Sequence, residues 1–123
     1  MAKILIVDDD KGATDLIETI MRSRGHEPIS VNDSSKAVET AMATKPDLII
    51  LDLMMPEPTG FQLCRMLRGI PNFAGTPIVI VTALDDSDSR LVAFGAGADS
   101  YITKPIDVLD LTDTVKEMLI RAR

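Results

Sequence analysis

Tryptophan is absent from the 123-residue chain, and the aromatic residues stop at Phe61, Phe73, Phe94 and Tyr101. Ile, Leu, Val, Met and Ala must therefore build the core. Cys64 is the only cysteine. No internal disulfide can form, which fits a reducing compartment, and the thiol reads as core packing rather than as a nucleophile. Basic excess is missing too: 13 Lys and Arg stand against 19 Asp and Glu, a net charge of −6. That argues against a nonspecific grip on a phosphate backbone, which needs clustered cations. No apolar run approaches the roughly 20 residues of a membrane-spanning helix. Met1-Ala2-Lys3 carries no leader pattern, so the expectation is a cytoplasmic protein with no membrane contact. There are no repeats and no low-complexity segment. A Gly-rich loop after the first apolar run is also lacking; Asp8-Asp9-Asp10 stand there and would repel a nucleotide's phosphates.

What is present is organised around Leu48-Ile49-Ile50-Leu51-Asp52-Leu53. Such a short unbroken apolar run suits a strand buried on both faces of a parallel sheet. Lys3 to Val7 and Ile78 to Thr82 have the same character, His26 to Val31 a weaker one, and Ser100 to Thr103 completes the set. Between them the period changes to that of helices. Residues 12–24 put Ala13, Leu16, Ile17, Ile20 and Met21 on one face, with Gly25 as a stop. Asp33 or Ser34 caps a helix to about Thr44 with Ala37, Val38, Ala41 and Met42 inward, ended by Pro46. Thr59 and Gln62 form a capping box for a helix that buries Leu63, Cys64 and Leu67 and stops at Gly69. A Gly- and Pro-rich loop follows over 69–77. A short helix from Ser87 to Phe94 ends at Gly95. Asp107 caps the last helix, whose stripe is Val108, Leu111, Val115, Met118 and Leu119.

Strand and helix alternate strictly through five units, which predicts one α/β domain over 1–123 with a doubly wound parallel sheet. A five-stranded sheet of this kind most often takes the order 2-1-3-4-5, with its ligands beyond the carboxyl ends of the strands. That order brings Asp8, Asp9 and Asp52 into one crevice flanked by Thr82 and Lys104. Carboxylates crowded there repel by roughly 4 kcal/mol per pair at about 4 Å and an effective dielectric of 20. Lys104 supplies one compensating charge. Mg²⁺ would supply two more, on Asp9 and Asp52 with Asp8 as ligand or holder of water, and with the backbone carbonyl of Met54 to complete the set. A carboxylate so placed can attack phosphorus and become an aspartyl phosphate. Lys104 and the Thr82 hydroxyl would then hold phosphoryl oxygens, and the small Ala83 leaves room. A solvated acidic loop is the plain alternative.

Val7-Asp8-Asp9, Leu51-Asp52-Leu53-Met54-Met55-Pro56, Val81-Thr82-Ala83, Gly97-Ala98-Asp99-Ser100-Tyr101 and Lys104-Pro105 together resemble the motifs of response regulator receiver domains. The resemblance spans essentially the whole chain. It implies the flavodoxin-like fold and a phosphoacceptor of two-component signalling rather than an enzyme, one that promotes only its own phosphorylation and dephosphorylation. Asp52 would accept phosphate from a phosphohistidine on a sensor histidine kinase or a histidine phosphotransfer protein. Asp8, Asp9, Asp52 and the Met54 carbonyl would hold Mg²⁺. Thr82, Ala83 and Lys104 would bind the phosphoryl group. Thr82 and Tyr101 would form the switch, Tyr101 swinging inward to change the surface of helix four, strand five and helix five. Lys104-Pro105 matches a bond that is cis in the family.

Some positions depart from the family's pattern. Thr59 stands where many relatives carry aspartate; both cap helices, so little effect is expected. Pro58 is expected to stiffen the neighbouring loop. Met54 and Leu84 lie two residues past Asp52 and Thr82, where relatives often carry polar groups that position water, which predicts slow hydrolysis. Met55, like Met54, is expected to be available to a partner. His26 should be a surface loop residue far from the acids.

A second reading is a small Mg²⁺-dependent phosphatase of the haloacid-dehalogenase type, with Asp8 as nucleophile of the Asp8–Asp10 pair. Gly12 and Ala13 do not continue that motif, and Asp52 would be idle. A third is a receiver that only binds a partner, which is disfavoured because no expected site residue is missing. Output is expected through docking on a downstream protein or through a fused output domain, with no direct nucleic-acid contact. A homodimer through helices four and five in the phosphorylated form is a family-based expectation. Arg121-Ala122-Arg123 would start a linker to any further domain.

Overall fold

The structure is a computed structural model and describes residues 1–122; Arg123, the last residue of the expected linker start, lies outside them. Five parallel strands, β1 (Lys3–Val7), β2 (Glu27–Val31), β3 (Leu48–Leu51), β4 (Ile78–Thr82) and β5 (Ser100–Thr103), pair in the order β2-β1-β3-β4-β5. Five helices connect and cover them: α1 (Lys11–Ser23), α2 (Ala37–Thr44), α3 (Gly60–Arg68), α4 (Ser87–Gly95) and α5 (Val108–Arg121). Short 3₁₀ turns at Ser34–Lys36 and Pro71–Phe73 complete the connections. The sheet order is the one the alternation predicts, and the architecture is flavodoxin-like.

Alternate residues of each apolar run serve opposite faces. Ile4, Ile6, Leu48, Ile50, Val79, Val81 and Ile102 meet Ile17 and Met21 of α1 and Leu111, Val115 and Met118 of α5. Leu5, Val7, Ile49, Leu51, Ile78 and Ile80 meet Ala37 and Ala41 of α2, Leu63 and Leu67 of α3, and Ala93 of α4. Each buried Ile or Leu is worth about 1.5–3 kcal/mol relative to exposure, so the period-2 pattern sets the register firmly. Val7 pairs with both Val31 and Leu51, which aligns the ends of the first three strands.

Several helix faces differ from the pattern in the sequence. Leu16, Met42 and Val108 are exposed, while Thr14 and Thr112 are buried. The buried stripe of α1 centres on Ile17 and Met21, which leaves Leu16 at its solvent border. Met42 lies within α2 next to the buried Ala41 and is exposed. Val108 is the first residue of α5, ahead of its buried residues Leu111, Thr112, Val115 and Met118. Strand β2 starts at Glu27 rather than His26, and β3 stops at Leu51, so Asp52 stands beyond its end. Helix α2 ends at Thr44, and its cap Lys45 takes a left-handed conformation (φ 52°) just before Pro46. Helix α4 runs through Gly95; the positive φ of 112° that turns the chain belongs to Gly97. His26 is half-buried, not a free loop residue. The Ala2 N–H donates to its Nδ1 at 3.3 Å, and burial, with the N-terminal charge adding to it, holds the imidazole below its usual range.

Candidate functional site

Asp8, Asp9, Asp52, Thr82 and Lys104 all lie at the carboxyl edge of the sheet, on β1, β3, β4 and β5 or just past their ends. The backbone of Asp8 is held between strands: its N–H donates to the Val31 carbonyl at 3.2 Å, and its carbonyl accepts from Asn32 Nδ2 at 2.9 Å. Asn32 Nδ2 also donates to the buried Thr14 hydroxyl at 3.0 Å. The Asp52 N–H donates to the Val7 carbonyl at 3.0 Å. Sequence reading singled out neither Thr14 nor Asn32; both are ordinary polar residues whose contacts span 18 to 24 positions.

The acidic run divides its labour. Asp8 is 2% exposed and Asp9 lies in solvent, yet each offers a carboxylate oxygen, with one from Asp52, all within 4.8 Å of one another. Asp10 turns away to cap α1, accepting from the Gly12 N–H at 2.9 Å. Asp8 Oδ1 accepts from the Asp10 N–H at 2.9 Å. The Lys104 ammonium donates to Asp8 Oδ2 at 2.8 Å and to Asp52 Oδ2 at 3.2 Å. Asp52 Oδ1 takes the Met54 N–H at 3.2 Å.

Burial pushes the Asp8 carboxyl up, and this outweighs the lowering by the Lys104 and Asp10 hydrogen bonds; the charge on Asp52 adds to the rise. For Lys104, burial acts to lower the ammonium, but its hydrogen bond to Asp8 and the charges of Asp52 and Asp8 outweigh it, so it is held above its usual range. Both shifts report one condition: two buried carboxylates share a single ammonium. The cluster is short of positive charge and made only of oxygen donors, which suits a hard divalent cation of the Mg²⁺ type.

Thr82 is fully buried at the end of β4, and its carbonyl accepts from the Lys104 N–H at 2.8 Å. Its hydroxyl has a long contact of 3.5 Å from the Leu84 N–H. Ala83 is exposed at the rim. Tyr101 is half-buried on β5, with its hydroxyl donating to the Leu84 carbonyl at 2.7 Å. The Lys104–Pro105 bond is cis, and so is Glu57–Pro58 in the loop after Asp52. That loop carries Met54, exposed, and Met55, which is buried in the core and therefore not available to a partner. Thr59 and Gln62 make both halves of the capping box of α3. Cys64 is fully buried against the Ala96 carbonyl, and its thiol is pushed up to about 11 by burial, which removes it as a nucleophile.

A further structural contributor also escaped the sequence. Arg68, at the end of α3, donates to the carbonyls of Phe73, Ala74, Thr76 and Gly97 and to Asp99 Oδ2. Asp99 Oδ2 also takes the Ile78 N–H at 2.9 Å. The Gly97-Ala98-Asp99 segment is thus tied to the start of β4, at the end of the sheet away from the acids. Nothing in the spacing of Arg68 marks it; the partners come from loops up to 31 positions away.

Comparison with known proteins places this arrangement. The model of the response regulator receiver domain family matches residues 4–116. The DNA-binding dual master transcriptional regulator RpaA of Synechocystis is 37% identical over 121 residues, covering 98% of this chain and 50% of that protein. Among solved structures, a putative response regulator from Chloroflexus aurantiacus superposes with a TM-score of 0.92 at 31% identity, over 97% of this chain and 98% of that one. The chemotaxis protein CheY4 of Vibrio cholerae gives 0.91 at 27% identity, over 96% and 98%. The chain belongs to the response regulator receiver domain family of two-component signalling, a family of signalling domains that interact with histidine kinases. It spans about half the length of the curated relatives it matches.

Proposed function

We propose that residues 1–123 form one receiver domain that accepts a phosphoryl group on Asp52. The observation that carries this is the pair of bonds from one Lys104 ammonium to Asp8 and Asp52, with Asp9 alongside. A carboxylate oxygen of Asp52 attacks the phosphorus of a phosphohistidine on a sensor kinase or phosphotransfer protein. The P–N bond breaks, and the imidazole leaves with its electron pair and takes up a proton. Lys104 stays beside Asp52 and can follow a phosphoryl oxygen, and Thr82 can turn its hydroxyl toward another. Ala83 at the rim leaves the approach open. Asp8, Asp9, Asp52 and the Met54 carbonyl would hold Mg²⁺, which supplies charge neutralisation for the transfer. Thr82 and Tyr101 pass the change to the α4–β5–α5 surface, where a second phosphorylated copy can dock.

The protein works in the cytoplasm; among the described residues no helix is long and apolar enough to cross a membrane. Relatives named as DNA-binding regulators are about twice as long. A fused output domain, or a separate downstream protein, therefore carries the response. The acidic receiver itself leaves nucleic acid alone. The phosphatase alternative finds no support in Asp10, which is occupied as the cap of α1.

Incubation with acetyl phosphate and Mg²⁺ followed by intact-mass measurement tests the reading. One adduct is expected in the parent, dependent on Mg²⁺ and lost in Asp52→Asn. An adduct that survives in Asp52→Asn but disappears in Asp8→Asn would favour the phosphatase, and no adduct at all would leave a pure binding module.

The lifetime of the adduct is a separate prediction. Met54 is exposed beside Asp52 and Leu84 half-buried beside Thr82, and neither can hold a water for attack on phosphorus. Met54→Asn should shorten the half-life by about tenfold, a barrier change of roughly 1.4 kcal/mol. A parent half-life of seconds, unchanged by the substitution, would refute this.

A further inference from the structure

Arg90 of α4 forms no ion pair with a carboxylate among the described residues. Its guanidinium carbon instead sits 4.6 Å from the centroid of the Tyr101 ring, and its Nη2 donates to the Thr103 hydroxyl at 3.3 Å. Phe94, one turn further along the same helix, lies beside the ring too, at 6.3 Å between centroids and tilted by 41°. The ring is thus gripped from α4 while its hydroxyl reaches the Leu84 carbonyl at 2.7 Å. Leu84 lies two residues past Thr82, and its N–H faces the Thr82 hydroxyl. The contacts run without a gap from Arg90 through Tyr101 and Leu84 to Thr82.

The geometry points to Arg90 as the positioning residue that holds Tyr101 on the Thr82 loop before any phosphoryl group arrives. This rests on the reading of Asp52 as phosphoacceptor and of Thr82 and Tyr101 as its switch. A half-exposed tyrosine on a sheet edge is held weakly by one hydroxyl bond alone, since water offers the same bond. A cation over the ring face adds attraction that water does not replace, and the planar guanidinium can stack on the ring and donate to Thr103 together. The ring is then partly ordered against the loop in advance, and the phosphoryl group has less free energy to supply in completing the switch. Lysine at this position would keep a charge over the ring and lose the fork.

Tyr101 is the only tyrosine and there is no tryptophan, so intrinsic emission excited at the tyrosine band reports this ring alone. Acrylamide quenching in the unphosphorylated protein should be low in the parent, at least about twofold higher in Arg90→Ala, and intermediate in Arg90→Lys. Phosphorylation should raise protection in both proteins, by more in Arg90→Ala than in the parent. The rate of adduct formation from acetyl phosphate should fall about fivefold in Arg90→Ala, the size of one lost cation–π contact. In a Tyr101→Ala background, Arg90→Ala should have no further effect on that rate. Thermal melts establish that each variant is folded, and Arg90→Lys carries the test if an alanine variant is not. Unchanged quenching in Arg90→Ala, or a slower rate that persists without Tyr101, would overturn the role of Arg90 while the parent adduct keeps the receiver reading intact. Absence of an adduct in the parent would overturn both.

Discussion

Gly60→Ala is expected to destabilise the protein by about 3 kcal/mol or more, because its new methyl has no space to enter. A Cβ at this position would lie 2.5 Å from Leu53 Cα and closer still to the Asp52 carbonyl oxygen. Those are backbone atoms, and they cannot swing aside as a side chain can. Gly60 opens α3, and its N–H donates to the Leu53 carbonyl at 3.2 Å, so the helix starts directly on the backbone that presents Asp52. Relief can come only by moving α3 or Asp52. The melting temperature should drop on the order of 10 °C, and acetyl phosphate should label Asp52 more slowly. Gly75→Ala is the control: nothing lies within 4 Å of its Cβ position, and its stability should stay within about 0.5 kcal/mol of the parent. Equal melts for the two variants would disprove the close approach.

Lys104→Met should cost about 3 kcal/mol at neutral pH in EDTA, since it removes the one ammonium from two buried carboxylates. The pH dependence has a definite sign. Burial already lifts the Asp8 carboxyl above 3.8, and the Lys104 hydrogen bond is the largest influence pulling it back. Without Lys104 the carboxyl rises further. A carboxyl raised in the folded state penalises folding where it must ionise, above its folded value, and the penalty fades as pH falls through that value toward 3.8. The deficit of Lys104→Met against the parent should therefore be largest near neutrality and shrink on acidification. Mg²⁺ should stabilise the variant more than the parent, because it would supply the missing charge. Denaturant titrations at several pH values, with EDTA or Mg²⁺, would read both effects. A deficit constant with pH would mean that Lys104 contributes by packing alone.

The strands were legible because a central parallel strand is buried on both faces, and that demand writes itself as Ile4 to Val7, Leu48 to Leu51 and Ile78 to Val81. The polar residues that end those runs, Asp8, Asp52 and Thr82, were visible for the same reason: each follows the last apolar position of its run, while Lys104 was marked by its place after the fifth strand and before Pro105. Helix faces read less well. Leu16, Met42 and Val108 fit a 3.6-residue period and still face solvent, because the period says which residues share a face but not how wide a strip the sheet covers. Arg68 and Arg90 were illegible. Each works through partners in other elements, Arg68 on carbonyl groups and Asp99, Arg90 on a ring and a hydroxyl, and no local pattern encodes such a meeting.

The amino-acid sequence by itself determined the alternation of strand and helix, the caps at Asp33, Thr59 and Asp107, and which side chains stand at the strand ends. These depend on interactions within a few residues or on burial, which the chain records as periodicity. Only the tertiary structure decided that Asp8 and Asp9 would join Asp52, and that one ammonium would bridge Asp8 across 96 positions. It also decided that the loop after Thr82 would be held by Tyr101 under Arg90. Those outcomes depend on which strands become neighbours and on how far their ends align, quantities set by packing the whole sheet at once rather than by any segment of it.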